Sequence, residues 1–399
     1  MGSEWKHVKF SELCDIWRGG SPRPIHDFIR ESGIPWVKIA DATSSRTRFI
    51  EKTKEFIKPE GMSKSREVFP GDLILSNSAT PGLPMFMSIR ACIHDGWLLL
   101  RNFKNVDKLF CYYLLVHERE NIVRFGSGSV FTNLKTDILK NHEVNIPPLP
   151  EQHAIAHILG SLDDKIELNR RMNQTLQAMA RAIFKHWFID FEFPNENGES
   201  YKSSGGETIN SPLGPIPKGW RIGRIEDVCE FSYGKALKAD KRIQGRIPVY
   251  GSNGQIGWHN ESLVSGPGII VGRKGNPGLI HWSKEDFFPI DTTFYVVPRV
   301  GKSIMHFLYF ALKHVDLPRL SADSAVPGLN RNIAYMQQLV IPTEQLLRDF
   351  ENRISIIFDL LQTNCWQNQS LSELRDSLLP KLVSGEIRVP VSEKEDDQL

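Results

Sequence analysis

Residues 146–193 read IPPLPEQHAIAHILGSLDDKIELNRRMNQTLQAMARAIFKHWFIDFEF, and residues 341–389 read IPTEQLLRDFENRISIIFDLLQTNCWQNQSLSELRDSLLPKLVSGEIRV. Slid over one another by 195 positions, the two stretches align without a gap. Ile155 falls on Phe350, Leu159 on Ile354, Leu162 on Ile357, Ile166 on Leu361, Leu176 on Leu371, Ile183 on Leu378 and Trp187 on Leu382. Apolar residues spaced 4, 3, 4, 3 keep one seam facing a partner helix. Two seam positions are polar in both copies, Asn169 with Asn364 and Asn173 with Asn368. A seam asparagine weakens packing but penalises a shifted register, where its hydrogen-bonding partner is lost. One amphipathic stripe would be ordinary; two ungapped copies sharing both polar positions predict two long helices packed as a rigid rod. At about 36 helical residues and about 1.5 Å each, every copy spans on the order of 55 Å.

The rod must separate something, and 399 residues leave room for two or three domains with proper cores. Apolar content of 40% and charged content of 24% are those of an ordinary globular protein. No apolar run approaches the roughly 18 residues of a membrane span. Met1–Phe10 lacks an apolar signal region, which makes the cytoplasm the default location. The five cysteines (14, 92, 111, 229 and 365) form no C-x-x-C pair, so reduced core thiols are expected, not a disulfide framework or zinc ribbon.

The net charge of +2 conceals an asymmetry. Residues 1–150 hold 21 Lys and Arg against 17 Asp and Glu, and residues 217–342 hold 16 against 10. The remaining segments hold 12 against 20. Two basic blocks joined by acidic connectors fit a polyanionic partner.

The first block, residues 1–147, has strand-like runs at Pro35–Ile39 and Asp72–Leu75, with turn signals at Pro70-Gly71 and Pro81-Gly82. A helix is predicted over Lys108–Asn121, a Gly/Ser-rich flexible loop over 125–133, and a strand over Glu143–Ile146. Pro147 to Pro150 stops that strand and launches the first long helix, 148–194. A linker rich in Gly, Ser, Asn and Pro covers 195–219. The second block, 220–342, repeats the first in outline: Trp220 matches Trp5, Cys229 matches Cys14 and Gly234 matches Gly19. Ile247-Pro248 echoes Ile34-Pro35, 267–271 echoes 70–74, and 324–329 sits where 129–134 sat. The second long helix, 343–389, and an acidic tail, 390–399, complete a tandem of block plus helix, twice over.

Catalytic motifs are missing. The chain contains no G-x-x-x-x-G-K-[ST], no G-x-G-x-x-G after a strand and no nucleophile elbow. His153 and His157 stand at i, i+4 but lack the glutamate and third ligand of a zinc site, and their repeat equivalents are Arg348 and Asn352. They read as solvated or packing histidines, so no metal site is expected. Asn145-Ile146-Pro147-Pro148 is not the Asn-Pro-Pro-aromatic motif of adenine methyltransferases, because Ile146 interrupts it.

Binding residues are better represented. The first block offers Arg18, Arg23, Lys38, Lys64 and Arg66, with Asn77, Ser78 and Thr80 in one strand–turn loop. The second offers Lys235, Lys238, Lys241, Arg242, Asn253, Arg273, Lys274, Asn276 and Arg331. Arg reads guanine bidentately, Asn reads adenine, and Lys, Ser or Thr holds phosphates. Any one of these alone is most simply a solvated surface charge. Their clustering at matching loops, 77–80 and 273–276, favours nucleic-acid contact.

In these stretches the chain resembles a specificity subunit of a type I restriction–modification system. The resemblance is carried by Ile146 to Gln152, Leu162 to Asn169, Phe188 to Pro194, the linker Tyr201 to Glu207, Gly214 to Trp220, and Leu378 to Ile387. It implies a mixed α/β fold with two target-recognition domains separated by two long antiparallel coiled-coil helices. It also implies double-stranded DNA as ligand, and two modification subunits carrying S-adenosylmethionine as partners. Restriction subunits would add ATP- and Mg-dependent translocation and cleavage. This chain itself would be non-catalytic and bind no cofactor. The acidic helical face and the aromatics Trp187, Phe188, Phe191 and Phe193 suit docking with modification subunits, or else pack as a small core under the linker. In the second copy the proline-rich lead is shorter, and Cys365-Trp366 replaces Arg170-Arg171, so the two ends are expected to grip partners unequally. Unlike loops in the two blocks predict two unlike DNA half-sites. A catalytic DNA methyltransferase would need the motifs missing here, and a plain coiled-coil scaffold would not explain two basic repeated blocks.

Overall fold

The computed structural model describes residues 4–125, 133–299, 304–321 and 328–390. Most of the loop at 125–133, most of the 324–329 stretch matched to it, and the acidic tail from 391 onward lie outside the described residues. The chain divides into two compact units: Met1–Asn169 with Gln367–Leu399, and Arg170–Trp366.

In the first unit a five-stranded sheet has the order Asp15–Arg18, Trp97–Arg101, Leu73–Ser76, Pro84–Met87, Phe49–Ile50. Its central strands are apolar on both faces; all four residues of Leu73–Ser76 are buried, as a strand covered on both sides requires. A second five-stranded sheet places Ile34–Val37 parallel to Ala91–Ile93. Lys6–Lys9 pairs antiparallel with Glu143–Ile146, closing the block immediately before the long helix.

The second unit repeats this plan. Cys229–Tyr233, Thr293–Pro298, Gly268–Gly272 and Ile280–Ser283 follow in the same sheet order. Ile247–Gly251 lies parallel to Phe288–Pro289, and Arg221–Arg224 pairs with Gln338–Ile341. The 195–219 segment contains its own order: Phe193 stacks on Tyr201 at 4.5 Å, and Thr208–Ile209 pairs with Ile216–Pro217.

The long helices run Leu149–Phe188 (40 residues) and Glu344–Ser384 (41 residues), each about 60 Å. Within the first unit, Asp163 meets Arg375 and Asn169 meets Asn368; within the second, Asn173 meets Asn364. Rising numbers on one helix meet falling numbers on the other, so each half-pair is antiparallel. Asn169 donates its amide to Asn368 Oδ1 (3.0 Å) and Gln367 Oε1 (3.2 Å), while Asn364 donates to Asn173 Oδ1 (2.8 Å). The 195-residue offset carries each pair onto the other.

Positions flanking the seam are not filled alike in the two copies. In the first unit Asp163 accepts from Arg375 Nη1 (2.6 Å) and the Tyr113 hydroxyl (2.7 Å), with Arg48 Nη1 3.7 Å away. The offset maps Asp163 onto Phe358, whose ring packs on Trp282, His306, Tyr309 and Phe310 in the second unit.

The aromatic patch considered for partner docking is core. Phe188 sits edge-on to Phe350 at 4.8 Å and to Phe307 at 5.0 Å, and Trp187, Phe188 and Phe193 are all buried. Phe191, partly buried, meets Trp220 edge-on. The signal was a run of aromatics, which a helix end buries whenever a sheet domain is packed against it. Four cysteines are buried as expected, and burial pushes Cys14 and Cys229 up to about 12; Cys365 is instead exposed.

Candidate nucleic-acid interface

Both units build a loop cluster around one backbone turn. In the first, the turn is His94–Gly96, which precedes the strand starting at Trp97. Gly19 must approach it closely: a Cβ there would lie 2.1 Å from the His94 carbonyl oxygen. In the second unit the matching Gly234 would meet the Ile290 carbonyl at 2.2 Å. The alignment of these two glycines thus marks a close backbone contact that admits no side chain.

Asp95 is the hub of the first cluster. Ser21 Oγ donates to its carboxylate at 2.6 Å, and Arg23 Nη2 is 3.5 Å from the other oxygen. The Ser21 hydrogen bond, against a burial cost, keeps this carboxyl below its ordinary range. Arg18 Nε and Asn77 Nδ2 both donate to the Asp95 carbonyl at 3.0 Å. Arg66 Nε donates to the Arg18 carbonyl at 3.3 Å. Burial holds the adjacent His94 below its usual value, so it is a neutral ring at neutral pH.

Arg18, Arg23, Arg66 and Asn77 therefore converge. Asn77 is only 4% exposed, with its amide spent on the turn; its work in the structure is to hold the loop. Lys38 is tied to Glu55 at 2.6 Å and brings no free charge. Lys64 lies over the Phe28 ring at 5.0 Å and is exposed. Ser78 and Thr80 sit half-buried in the turn, where Thr80 N donates to Ser78 O at 2.6 Å.

In the second unit Arg273 stands where Asn77 stands. Its N–H bonds the Thr292 carbonyl as that of Asn77 bonds Gly96, and its carbonyl accepts from Leu329 as that of Asn77 accepts from Leu134. Its side chain likewise holds the turn, donating from Nε (3.1 Å) and Nη2 (2.6 Å) to the Asp291 carbonyl. Arg273 and Arg331 lie 5.5 and 5.1 Å from the centroid of Tyr233, which is 54% exposed. These groups border a shallow concavity of about 290 Å³. Nearby, Asn276 donates to Asn253 Oδ1, both exposed, and Ser252 Oγ donates to the carbonyl of exposed Lys274.

Lys235 and Lys238 are exposed on the segment after Tyr233. Arg242 is drawn away from that group: Nη1 donates to the Ile256 carbonyl at 2.8 Å, and its Nε is buried without a partner. Residue types alone did not reveal Tyr233 or Ser21. Tyr233's place directly before the aligned Gly234 was the available signal. Among the described residues, no three His, Cys, Asp or Glu side chains gather as a metal site, and His153 lies 3.9 Å from Asp107. No helix is long and apolar enough to cross a membrane among those residues.

The family profile described as "Type I restriction modification DNA specificity domain" matches residues 2–178 and 217–344. The chain is 25% identical to the type I restriction enzyme MjaIX specificity subunit of Methanocaldococcus jannaschii, over 97% of this chain and 94% of the relative. It is 23% identical to the HindI specificity subunit of Haemophilus influenzae, over 96% of this chain and all of the relative. Its fold matches the crystal structure of a type I restriction–modification S subunit from M. genitalium with a TM-score of 0.63 and 19% identity, covering 95% of this chain and 96% of that one.

Proposed function

The chain belongs to the type I restriction–modification DNA specificity family, and on that premise we propose how its two units divide the work. It is a DNA sequence-specificity subunit. Each unit reads one half of a bipartite target in double-stranded DNA, and the two halves differ in sequence. The observation that carries this is the pair of equivalent loops built with unlike side chains. Exposed Arg18, Arg23 and Arg66 gather about the turn in one, while exposed Asn253, Lys274 and Asn276 gather in the other. The same scaffold with different donors reads different base edges.

In this reading exposed Arg18, Arg23, Lys64 and Arg66 serve the first half-site. Asn253, Lys274 and Asn276 serve the second, with exposed Lys235 and Lys238 on the backbone. Asn77 acts by positioning the turn. The seam asparagines fix helix register.

Two modification subunits would dock on the helices. Met172 and Met179 are exposed seven residues apart on the first, and Ile356 and Leu360 four apart on the second, which suits an added helical partner. S-adenosylmethionine would be held by those subunits, and ATP and Mg by restriction subunits. This chain would contribute no catalytic group and work in the cytoplasm.

Mapping adenine methylation across the host genome, with and without this gene, tests the assignment. Loss of one bipartite adenine motif with two unlike half-sites is expected. Two identical half-sites in inverted repeat would overturn the asymmetric reading. No lost motif, with no retarded duplex when modification subunits are co-expressed, would overturn the assignment itself. Asn276→Ala should relax one base of one half-site, a discrimination worth about 1–3 kcal/mol.

A further inference from the structure

The concavity beside Tyr233 has an unusual hydrogen-bond balance. Arg273 spends Nε and Nη2 on the Asp291 carbonyl and keeps Nη1. Arg331 uses Nη1 on the Phe231 carbonyl at 3.4 Å and keeps Nε and Nη2. Asn330 spends its Oδ1 on the N–H groups of Asn332 (2.9 Å) and Ile333 (3.3 Å), which leaves only its amide N–H groups. On these three side chains the one acceptor is therefore consumed while donors remain. Among the described residues no carboxylate lines the concavity and neither arginine has an acidic partner. Two guanidinium groups held over one aromatic ring repel each other unless an anion lies between them.

These donors come from three separate segments, the strand end at Tyr233, the turn at Arg273 and the start of the short helix Arg331–Tyr335 with its cap Asn330, and they converge on one small volume. That is the arrangement for a tetrahedral group with several free oxygens. A planar guanine edge would be met by one extended, unobstructed arginine fork. Here both guanidinium planes are pinned by backbone carbonyls and by the Tyr233 face, so neither extends into a groove.

We propose that Tyr233, Arg273, Asn330 and Arg331 form a prebuilt seat for one backbone phosphate of bound DNA, which sets the register of the second unit without reading sequence. This rests on the DNA-specificity reading. The first unit builds this place differently: its equivalents of Tyr233, Arg273, Asn330 and Arg331 are Arg18, Asn77, Lys135 and Thr136, so it does not set two arginines over a tyrosine ring. The second half-site would thus carry a contact whose strength is indifferent to sequence.

The test is a salt titration of duplex binding by the full chain with its modification subunits. The probes are one duplex of arbitrary sequence and one carrying the methylated motif, and the proteins are wild type, Arg331→Gln and Arg331→Lys. Arg331→Gln should bind both duplexes about tenfold more weakly at low salt, with the slope of log K against log salt reduced by about one. Arg331→Lys should keep the wild-type slope, and thermal unfolding of Arg331→Gln should match wild type. An unchanged slope in Arg331→Gln overturns the seat while leaving the DNA-specificity reading intact. So does a loss confined to the motif duplex, which would make Arg331 a base reader. Wild type that binds neither duplex overturns both.

Discussion

Replacing Asp163 by alanine isolates the ionic half of the helix seam. Asp163 has a side chain only 13% exposed, and three groups depend on it: Arg375 at 2.6 Å, the Tyr113 hydroxyl at 2.7 Å and Arg48 at 3.7 Å. Burial and the Asp163 charge together push the Tyr113 hydroxyl above its ordinary range, so it remains a donor and loses its acceptor in the variant. Removing one partner of a fully buried ion pair costs roughly 3–5 kcal/mol. Here Arg375 keeps Asp376 at 2.7 Å and Arg48 keeps Asp164 at 2.5 Å, which brings the ionic part down to about 2 kcal/mol. The stranded Tyr113 hydroxyl adds about 1 kcal/mol. A total of about 3 kcal/mol lowers the melting temperature of a unit of this size by about 6–12 °C. Calorimetry of the full chain should show the first unit's transition moving and the second's staying, because Phe358 fills the equivalent place there. Asp163→Leu combined with Arg375→Leu should lose less than the sum of the single losses, by at least about 1 kcal/mol. A shift below about 2 °C for Asp163→Ala, or strict additivity in the double variant, would refute the reasoning.

Phe188→Ala should cost about 3–5 kcal/mol in urea unfolding, because its ring fills the second core; unchanged stability with lost subunit binding would restore the docking role. Gly19→Ala should cost about 3 kcal/mol, since its Cβ meets the His94 carbonyl, whereas Gly198→Ala, with open space but φ +80°, should cost about 1 kcal/mol. Equal losses in these two would show that the close approach is not the constraint. The His142 hydrogen bond, against a burial cost, holds the Glu118 carboxyl below its usual 4.5. Its stabilisation is therefore full above pH 4.5 and fades as pH falls through the depressed folded value. Glu118→Gln should melt lower than wild type at pH 7 by about 1 kcal/mol and converge with it at strongly acid pH; a gap that widens on acidification would contradict the sign.

Periodicity was the strongest signal in the chain, and it was sufficient for the helices. Nothing local competes with an ungapped repeat of 4, 3, 4, 3 spacing, and Ile155, Leu159, Phe350 and Ile354 are all fully buried. The paired glycines 19 and 234 and the paired strands at Ile34 and Ile247 were likewise legible, because a close backbone approach or a buried strand restricts residue type. The seam asparagines could be named from the sequence, but their partners could not. Asn169 meeting Asn368 instead of Asn364 follows from antiparallel packing, and a list of heptad positions carries no direction.

The loops lay further from reach. Sequence supplied the inventory of arginines, lysines and asparagines, since charge and hydrogen-bonding capacity belong to the residue. Whether a donor is free or spent is a property of its neighbours: Asn77 and Arg273 are both taken up by a backbone carbonyl, Lys38 by Glu55 and Arg242 by Ile256. Tyr233 gained its place only when two distant arginines were folded over its ring. The same division explains the aromatic run at 187–193, which one dimension presents as a sticky patch and three dimensions bury against Phe350 and Trp220. Residue chemistry set what this protein could bind; tertiary packing, by consuming some donors and exposing others, decided which groups remain to do it.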